Sequence, residues 1–275
     1  MNASDAKGLP IGVFDSGVGG LTVLKALREA MPHEDLVYLG DTARLPYGTK
    51  SPETIIRYSL QNARFLLSKG IKLLVVACNS ASSVAIPRLQ EEMPVPVIGV
   101  IQPGAERAAG TTRSGVVGVI GTRATIASGA YERAITALRP GVRLISRPCP
   151  LFVPLVEEGW VDNEICRLTV LSYLGDLKTA ELDTLVLGCT HYPLLKRAIG
   201  AALGEGVSLI DSAEAVAGQV SELLLREGLE YGARDGAGAR AYFVTDASER
   251  FREVGQRCLG QEIERLELVD IMPGA

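Results

Sequence analysis

Two cysteines stand apart because each closes an apolar run and is followed at once by polar groups. VVACNSAS sets Cys78 before Asn79 and Ser80, and LVLGCTHY sets Cys189 before Thr190 and His191. A thiol placed just before a helix meets the partial positive charge of the helix N-terminus. That charge favours thiolate and lowers the pKa from about 8.5. The amide, hydroxyl and imidazole groups that follow can hold a small polar ligand. Three chemistries use such thiols. A redox disulfide pair is one, but the chain has no CxxC. A Cys189–His191 nucleophile pair is the second, and it leaves Cys78 without a task. The third removes a proton from one face of a carbon and returns one to the other. One base serves both faces poorly, whereas a thiolate and a thiol exchange roles as the direction reverses. Racemisation or epimerisation fits the paired arrangement best.

Other residues belong with these. DSGVGG offers Asp15 and Ser16, with Gly17, Gly19 and Gly20 giving a tight turn whose N–H groups suit an anion such as a carboxylate. It lacks the dinucleotide fingerprint, because Thr22 stands where the third glycine is wanted, and it lacks a Walker lysine. Asp15 either caps the following helix or tunes the proton affinity of Cys78, and His191 can do the latter for Cys189. A further loop, Asp41 to Lys50, carries Arg44, Tyr47 and Gly48. Cys149, Cys166 and Cys258 have no comparable polar neighbours and read as small buried hydrophobes. His33 reads as solvated.

The elements that must position these groups alternate. Apolar runs at 10–14, 36–39, 72–77 and 95–101 read as strands, with helical stretches between them. The pattern restarts with strands at 115–120, 142–146, 183–188 and 207–211, and 241–245 and 264–270 add two late candidates. Runs rich in Val, Ile and Leu that alternate with helices indicate parallel sheets covered on both faces. The expected fold is α/β with two similar domains, 1–99 and 100–210, and a segment 211–275 that packs back on the first. Ser51 and Pro52 mark the start of one helix, Gly70 its end, and Ile56, Leu60, Ala63 and Leu67 its apolar face. Pro87 conflicts with a helix opening after Cys78, which would be kinked or start late. The run 232–240, GARDGAGAR, reads as a flexible surface loop.

Composition narrows the class. The chain has 275 residues, 47% of them hydrophobic, and a formal net charge of −4. Its basic residues are scattered, so nucleic acid and anionic membranes are not expected partners. No apolar run can span a bilayer, and no secretory leader is recognisable. Five unpaired cysteines fit the cytoplasm. With two histidines and no HExxH, no metal site is expected.

GVFDSGVGGLTVL, YLGDTARLPYG, VVACNSAS, CPLFVPLVEEG and LGCTHYPLL, in this order, resemble the motifs of the glutamate racemases. These are cofactor-independent enzymes that make D-glutamate for bacterial peptidoglycan. The resemblance runs from Pro10 to about Ile210. It implies two pseudo-symmetric α/β domains with the active site between them, no cofactor, and a homodimer. It implies that Cys78 accepts the proton from D-glutamate and Cys189 from L-glutamate. Asp15, Ser16, Tyr47, Gly48, Asn79, Ser80, Thr190 and His191 would hold the substrate, with Asp15 and His191 also assisting the thiols. The family usually has Thr where Ser80 stands, so slightly looser binding is expected. A related racemase acting on aspartate, a non-catalytic amino-acid sensor and a cysteine hydrolase are the alternative readings.

Overall fold

The computed structural model describes residues 6–232, 236–246 and 248–271, and its apolar runs form strands in two separate sheets. One holds β1 (Ile11–Asp15), β2 (Leu36–Gly40), β3 (Leu73–Val76) and β4 (Val97–Gly99), joined late by β9 (Arg240–Val244) and β10 (Leu266–Leu268). The other holds β5 (Val116–Gly121), β6 (Arg143–Pro148), β7 (Thr184–Gly188) and β8 (Ser208–Asp211). The orders are β10-β9-β2-β1-β3-β4 and β6-β5-β7-β8. Every pairing is parallel. The sequence β2-β1-β3-β4 in one sheet therefore recurs as β6-β5-β7-β8 in the other, and β3 and β7 hold equivalent places.

The helices are α1 (Leu21–Ala30), α2 (Pro52–Ser68), α3 (Asn79–Glu92), α4 (Ile101–Thr111), α5 (Arg123–Ala127) and α6 (Ala130–Leu138). After them come α7 (Phe152–Glu157), α8 (Glu164–Leu174), α9 (Lys196–Leu203), α10 (Ser212–Glu227) and α11 (Ser248–Leu259). β1, β3 and β7 are buried along their whole length. Each Val, Leu or Ile covered there contributes roughly 1.5–3 kcal/mol. α10 runs against α1, sharing one apolar cluster through Val216, Val220 and Leu224 with Leu24 and Leu27. β9 pairs with β2 in register Tyr38 to Tyr242.

Three details sharpen or correct the sequence expectations. α2 is capped as its sequence suggests: Thr54 N–H donates to Ser51 Oγ at 3.4 Å, and Gly70 takes φ +72 just past the end. Its buried face, however, is Ile55, Ser59, Asn62, Ala63 and Leu66. Ile56, Leu60 and Leu67 flank this face half-buried and pack on the same cluster, and Asn62 turns inward to meet Arg44 and Tyr47. α3 does not start late. It begins at Asn79 and continues through Pro87. Residues 233–235 of the 232–240 run lie outside the described residues; His33 Nδ1 stands 3.1 Å from the carbonyl of Gly236.

Candidate active site

In a parallel sheet of this order, successive crossovers leave to opposite sides between β1 and β3, and again between β5 and β7. Ligands collect beyond the carboxyl ends of strands at such a point. The four strand ends are Asp15-Ser16, Cys78, Thr122 and Cys189. They converge on one cavity of about 200 Å³. Ser16, Tyr47, Gly48, Cys78, Asn79, Ser80, Cys189, Thr190 and His191 all line it. Of the residues that the resemblance assigns to catalysis or substrate, Asp15 alone does not. It is fully buried beside the cavity.

The approach of the two halves explains two glycines. A Cβ on Gly19 would stand 2.4 Å from Thr190 Oγ1 and 2.5 Å from His191 Nδ1. A Cβ on Gly48 would stand 2.7 Å from Thr122 Cβ. Both glycines let loops of the first sheet press against loops of the second. The glycine of DSGVGG is thus needed for packing on the opposite thiol loop as well as for a turn.

Around Cys78, the thiol donates to Ser16 Oγ at 3.5 Å. The Asp15 carboxylate accepts the Gly17 N–H at 2.9 Å, and Thr190 Oγ1 donates to it at 3.5 Å. Burial pushes the Asp15 carboxyl up, partly opposed by the charge of His191. Burial, and then the Asp15 charge, pushes the Cys78 thiol up to about 12. This reverses the expectation of a lowered pKa. Cys78 is the N-cap of α3 as the sequence implied. Desolvation and a neighbouring acid nevertheless outweigh the helix end.

Around Cys189 the partners differ. Its Sγ lies 3.9 Å from His191 Nδ1, and His191 Nε2 lies 3.2 Å from Glu157 Oε1. Burial opposes charge on His191, but the bonds to Cys189 and Glu157 outweigh it and hold the imidazole up at about 10. His191 is therefore a cation at neutral pH. Burial raises Glu157, yet the bond to His191, its charge and that of Arg250 bring this carboxyl below its ordinary value. Cys189–His191–Glu157 is a relay that can deliver or accept a proton.

Tyr47 lines the cavity while its hydroxyl is engaged inside the protein. Its phenol donates to Asp41, accepts from Asn62 Nδ2 at 3.1 Å, and is buried. Arg44 closes the cluster, with Nε 2.7 Å from Asp41 Oδ2 and Nη2 2.9 Å from Asn62 Oδ1. The hydroxyl is spent inside the protein, and the network braces the loop that carries Gly48. Among the cavity residues that the sequence reading does not mark, Glu157 and Thr122 bond to residues that it does. Glu157 comes from α7, inside CPLFVPLVEEG, whose spacing marks no chemistry. Thr122 hydrogen-bonds Ser80 Oγ at 2.9 Å across the cleft. Internal repetition could have found it. Phe14 pairs with Val76 and Gly121 with Gly188, so Ser16 and Thr122 extend beside Cys78 and Cys189 in the same way.

Cys149, Cys166 and Cys258 sit in apolar clusters, as expected. No group of His, Cys, Asp and Glu among the described residues could hold a metal ion, and no described helix is long and apolar enough to cross a membrane. A larger open cleft of about 880 Å³, lined by Pro87, Gly99, Arg133 and Arg226, contains no thiol.

The family model described as Asp/Glu/Hydantoin racemase matches residues 12–220. A glutamate racemase of Geobacter metallireducens is 58% identical over 92% of this chain and 93% of its own. The crystal structure of glutamate racemase from Francisella tularensis in complex with D-glutamate has a TM-score of 0.90 and 39% identity, covering 96% of this chain and 98% of that one. The Thermus thermophilus glutamate racemase in complex with β-chloro-D-alanine has a TM-score of 0.87 and 48% identity, covering 96% and 98%. The chain belongs to the Asp/Glu/hydantoin racemase family and is an amino-acid racemase.

Proposed function

We propose that this enzyme interconverts L- and D-glutamate by proton transfer between two thiols and the α-carbon, supplying D-glutamate for peptidoglycan. The observation that carries the reading is the convergence of Cys78 and Cys189, from equivalent strand ends of two sheets, on one small cavity. In the direction from D to L, Cys78 takes the α-proton and Cys189 delivers one to the opposite face. The reverse direction exchanges the roles. Asp15 assists Cys78 and His191 assists Cys189.

The α-hydrogen of an amino acid is a very weak acid while the carboxylate is charged. Asp15, Ser16, Tyr47, Gly48, Asn79, Ser80, Thr190 and His191 hold the substrate, and the donors among them steady the charge that develops in a site shielded from water. A cavity of about 200 Å³ suits a metabolite smaller than the drug-sized ligands of common pockets. Glutamate is preferred to aspartate because the relatives at 58% identity and at TM-score 0.90 are glutamate racemases. One methylene is worth only roughly 1–3 kcal/mol in a pocket, so turnover of the two acids must be compared directly.

The reading includes a division into 1–99, 100–210 and a returning 211–275, a homodimer, and a cytoplasmic enzyme whose five cysteines are free. Light scattering tests the dimer. L-Glutamate incubated with the enzyme in D₂O should yield D-glutamate carrying deuterium at the α-carbon. A Cys78→Ala/Cys189→Ala double variant that still racemised at the wild-type rate would sink the two-thiol chemistry. A cysteine hydrolase acting through Cys189 and His191 would instead leave the α-hydrogen in place.

A further inference from the structure

Tyr131 of α6 lies where the two thiol loops meet, although no motif marked it. It is 2% exposed, and its hydroxyl donates to Asn79 Oδ1 at 2.8 Å. A Cβ on Gly188, the residue before Cys189, would stand 3.1 Å from Tyr131 Cε2. A Cβ on Gly104 of α4 would stand 3.2 Å from its hydroxyl. The ring thus packs on the residue that precedes one thiol, and the phenol bonds the residue that follows the other.

The direction of that hydrogen bond has a consequence. Burial holds the Tyr131 phenol well above its ordinary value, so the proton stays on oxygen at any physiological pH. In the structure the phenol O–H donates to the amide oxygen, which sets the Asn79 amide with its oxygen towards Tyr131. Its other end, Nδ2, is buried and has no hydrogen-bond partner among the described residues. Buried donors without a partner are rare and costly. Asn79 lines the cavity, and an acceptor arriving there relieves the cost. Were the amide free to turn over, its oxygen would face the substrate's carboxylate and repel it.

We propose that Tyr131 is a positioning residue: it locks the Asn79 amide with its NH₂ offered to a substrate carboxylate, so that substrate affinity depends on a phenol that never touches substrate. The inference rests on glutamate racemisation with Asn79 as a substrate-holding residue. It adds a part from the second sheet to a binding group of the first.

The test is a double-mutant cycle. kcat and KM are measured in both directions for the wild type, Tyr131→Phe, Asn79→Ala and the double variant, with Tm beside them. Phenylalanine keeps the ring against Gly188 and Gly104 and removes only the hydroxyl. Tyr131→Phe should raise KM for both enantiomers on the order of tenfold. It should change kcat by less than about twofold and move Tm by no more than a few degrees. In the Asn79→Ala background the same substitution should change KM by less than about twofold. An unmoved KM, or an equal loss in both backgrounds, overturns the proposal. So does a loss of Tm and kcat at constant KM, which would mark a merely structural tyrosine. A wild type that turns over no glutamate removes the proposed function and this inference with it; a wild type that racemises normally beside an unaffected Tyr131→Phe removes this inference alone.

Discussion

Cys78 and Cys189 stand at matching strand ends, yet their surroundings are opposite in kind. Beside Cys78 are a hydroxyl and a buried acid, Asp15, whose charge raises the thiol further. Beside Cys189 is a histidine held protonated, backed by Glu157. The backbone is repeated; the electrostatics are not. Nor does proton affinity alone mark Cys78, since burial pushes the core thiols Cys149 and Cys258 to about 12 as well. What separates Cys78 from them is its place on the cavity wall and its polar neighbours. Two unlike thiol sites are compatible with a symmetric reaction for a thermodynamic reason. Enantiomers have equal free energy in achiral water, so kcat/KM must be the same in both directions at every pH. Asymmetry between the thiols can appear only in the separate kcat and KM values, and in isotope exchange.

The largest expected effects come from breaking one side at a time. Cys78→Ala and Cys189→Ala should each lower racemisation by about 10²–10⁴-fold, the range of a lost general acid or base. Their exchange in D₂O should differ. Cys189→Ala keeps Cys78 and should wash deuterium into D-glutamate only, and Cys78→Ala should do so into L-glutamate only. The reverse pattern would exchange the faces assigned to the thiols, and equal wash-in from both enantiomers in either variant would refute the division of faces.

The contrast also shows what a sequence can carry. Both thiols, the polar residues that follow them and the strands that precede them are local features, and each strand run appears where its apolar residues place it. Glu157 is different, because it matters through contact with His191, and a contact between distant segments leaves no spacing to read; Thr122, which meets Ser80 across the cleft, is marked only by its place in the internal repeat. Tyr131 reaches Asn79 in the same way. The direction of the Cys78 shift failed for a related reason. A helix N-terminus is visible in sequence, whereas the depth of burial and a neighbouring Asp15 are not. On α2, Ile56, Leu60, Ala63 and Leu67 pack on the core as their periodicity implies, but the inward Asn62 answers to Arg44 and Tyr47 and not to hydrophobicity.

A smaller effect should come from the partners of the thiols. His191→Asn removes the cation beside Cys189 and should lower kcat by on the order of 10²-fold. It should also change stability in a pH-dependent way. The folded pKa of about 10 lies above the ordinary value near 6.5. Protonated His191 therefore stabilises the native state fully below pH ~6.5, and this contribution is lost as pH rises through about 10. The Tm gap between wild type and His191→Asn should be widest near pH 6 and shrink towards pH 10. A gap that widened with pH would mean that His191 is neutral in the native state. On the other side, Asp15→Asn should bring the Cys78 thiol below about 12, seen as faster alkylation of Cys78 at a given pH.

The smallest expected effect tests whether the Cys78 side tolerates the family's usual residue. Ser80 Oγ is 2.9 Å from Thr122 Oγ1 and 3.3 Å from Thr125 Oγ1, a cluster of hydroxyls that ties α3 to the second sheet. Ser80→Thr keeps the hydroxyl and adds a methyl at a site only 3% exposed. If the methyl finds room, as the resemblance implies, it restricts the side-chain rotamer and fills space, and KM should fall by no more than about threefold with kcat unchanged. If the site is closed by Thr122 and Thr125, the added methyl overpacks it and costs about 1–3 kcal/mol, read as a lower Tm. The first result would place the serine as a slightly looser version of the same binding group. The second would mean that the hydroxyl cluster opposite Cys78 has been rebuilt around serine, and that the two thiol sites differ in packing as well as in charge.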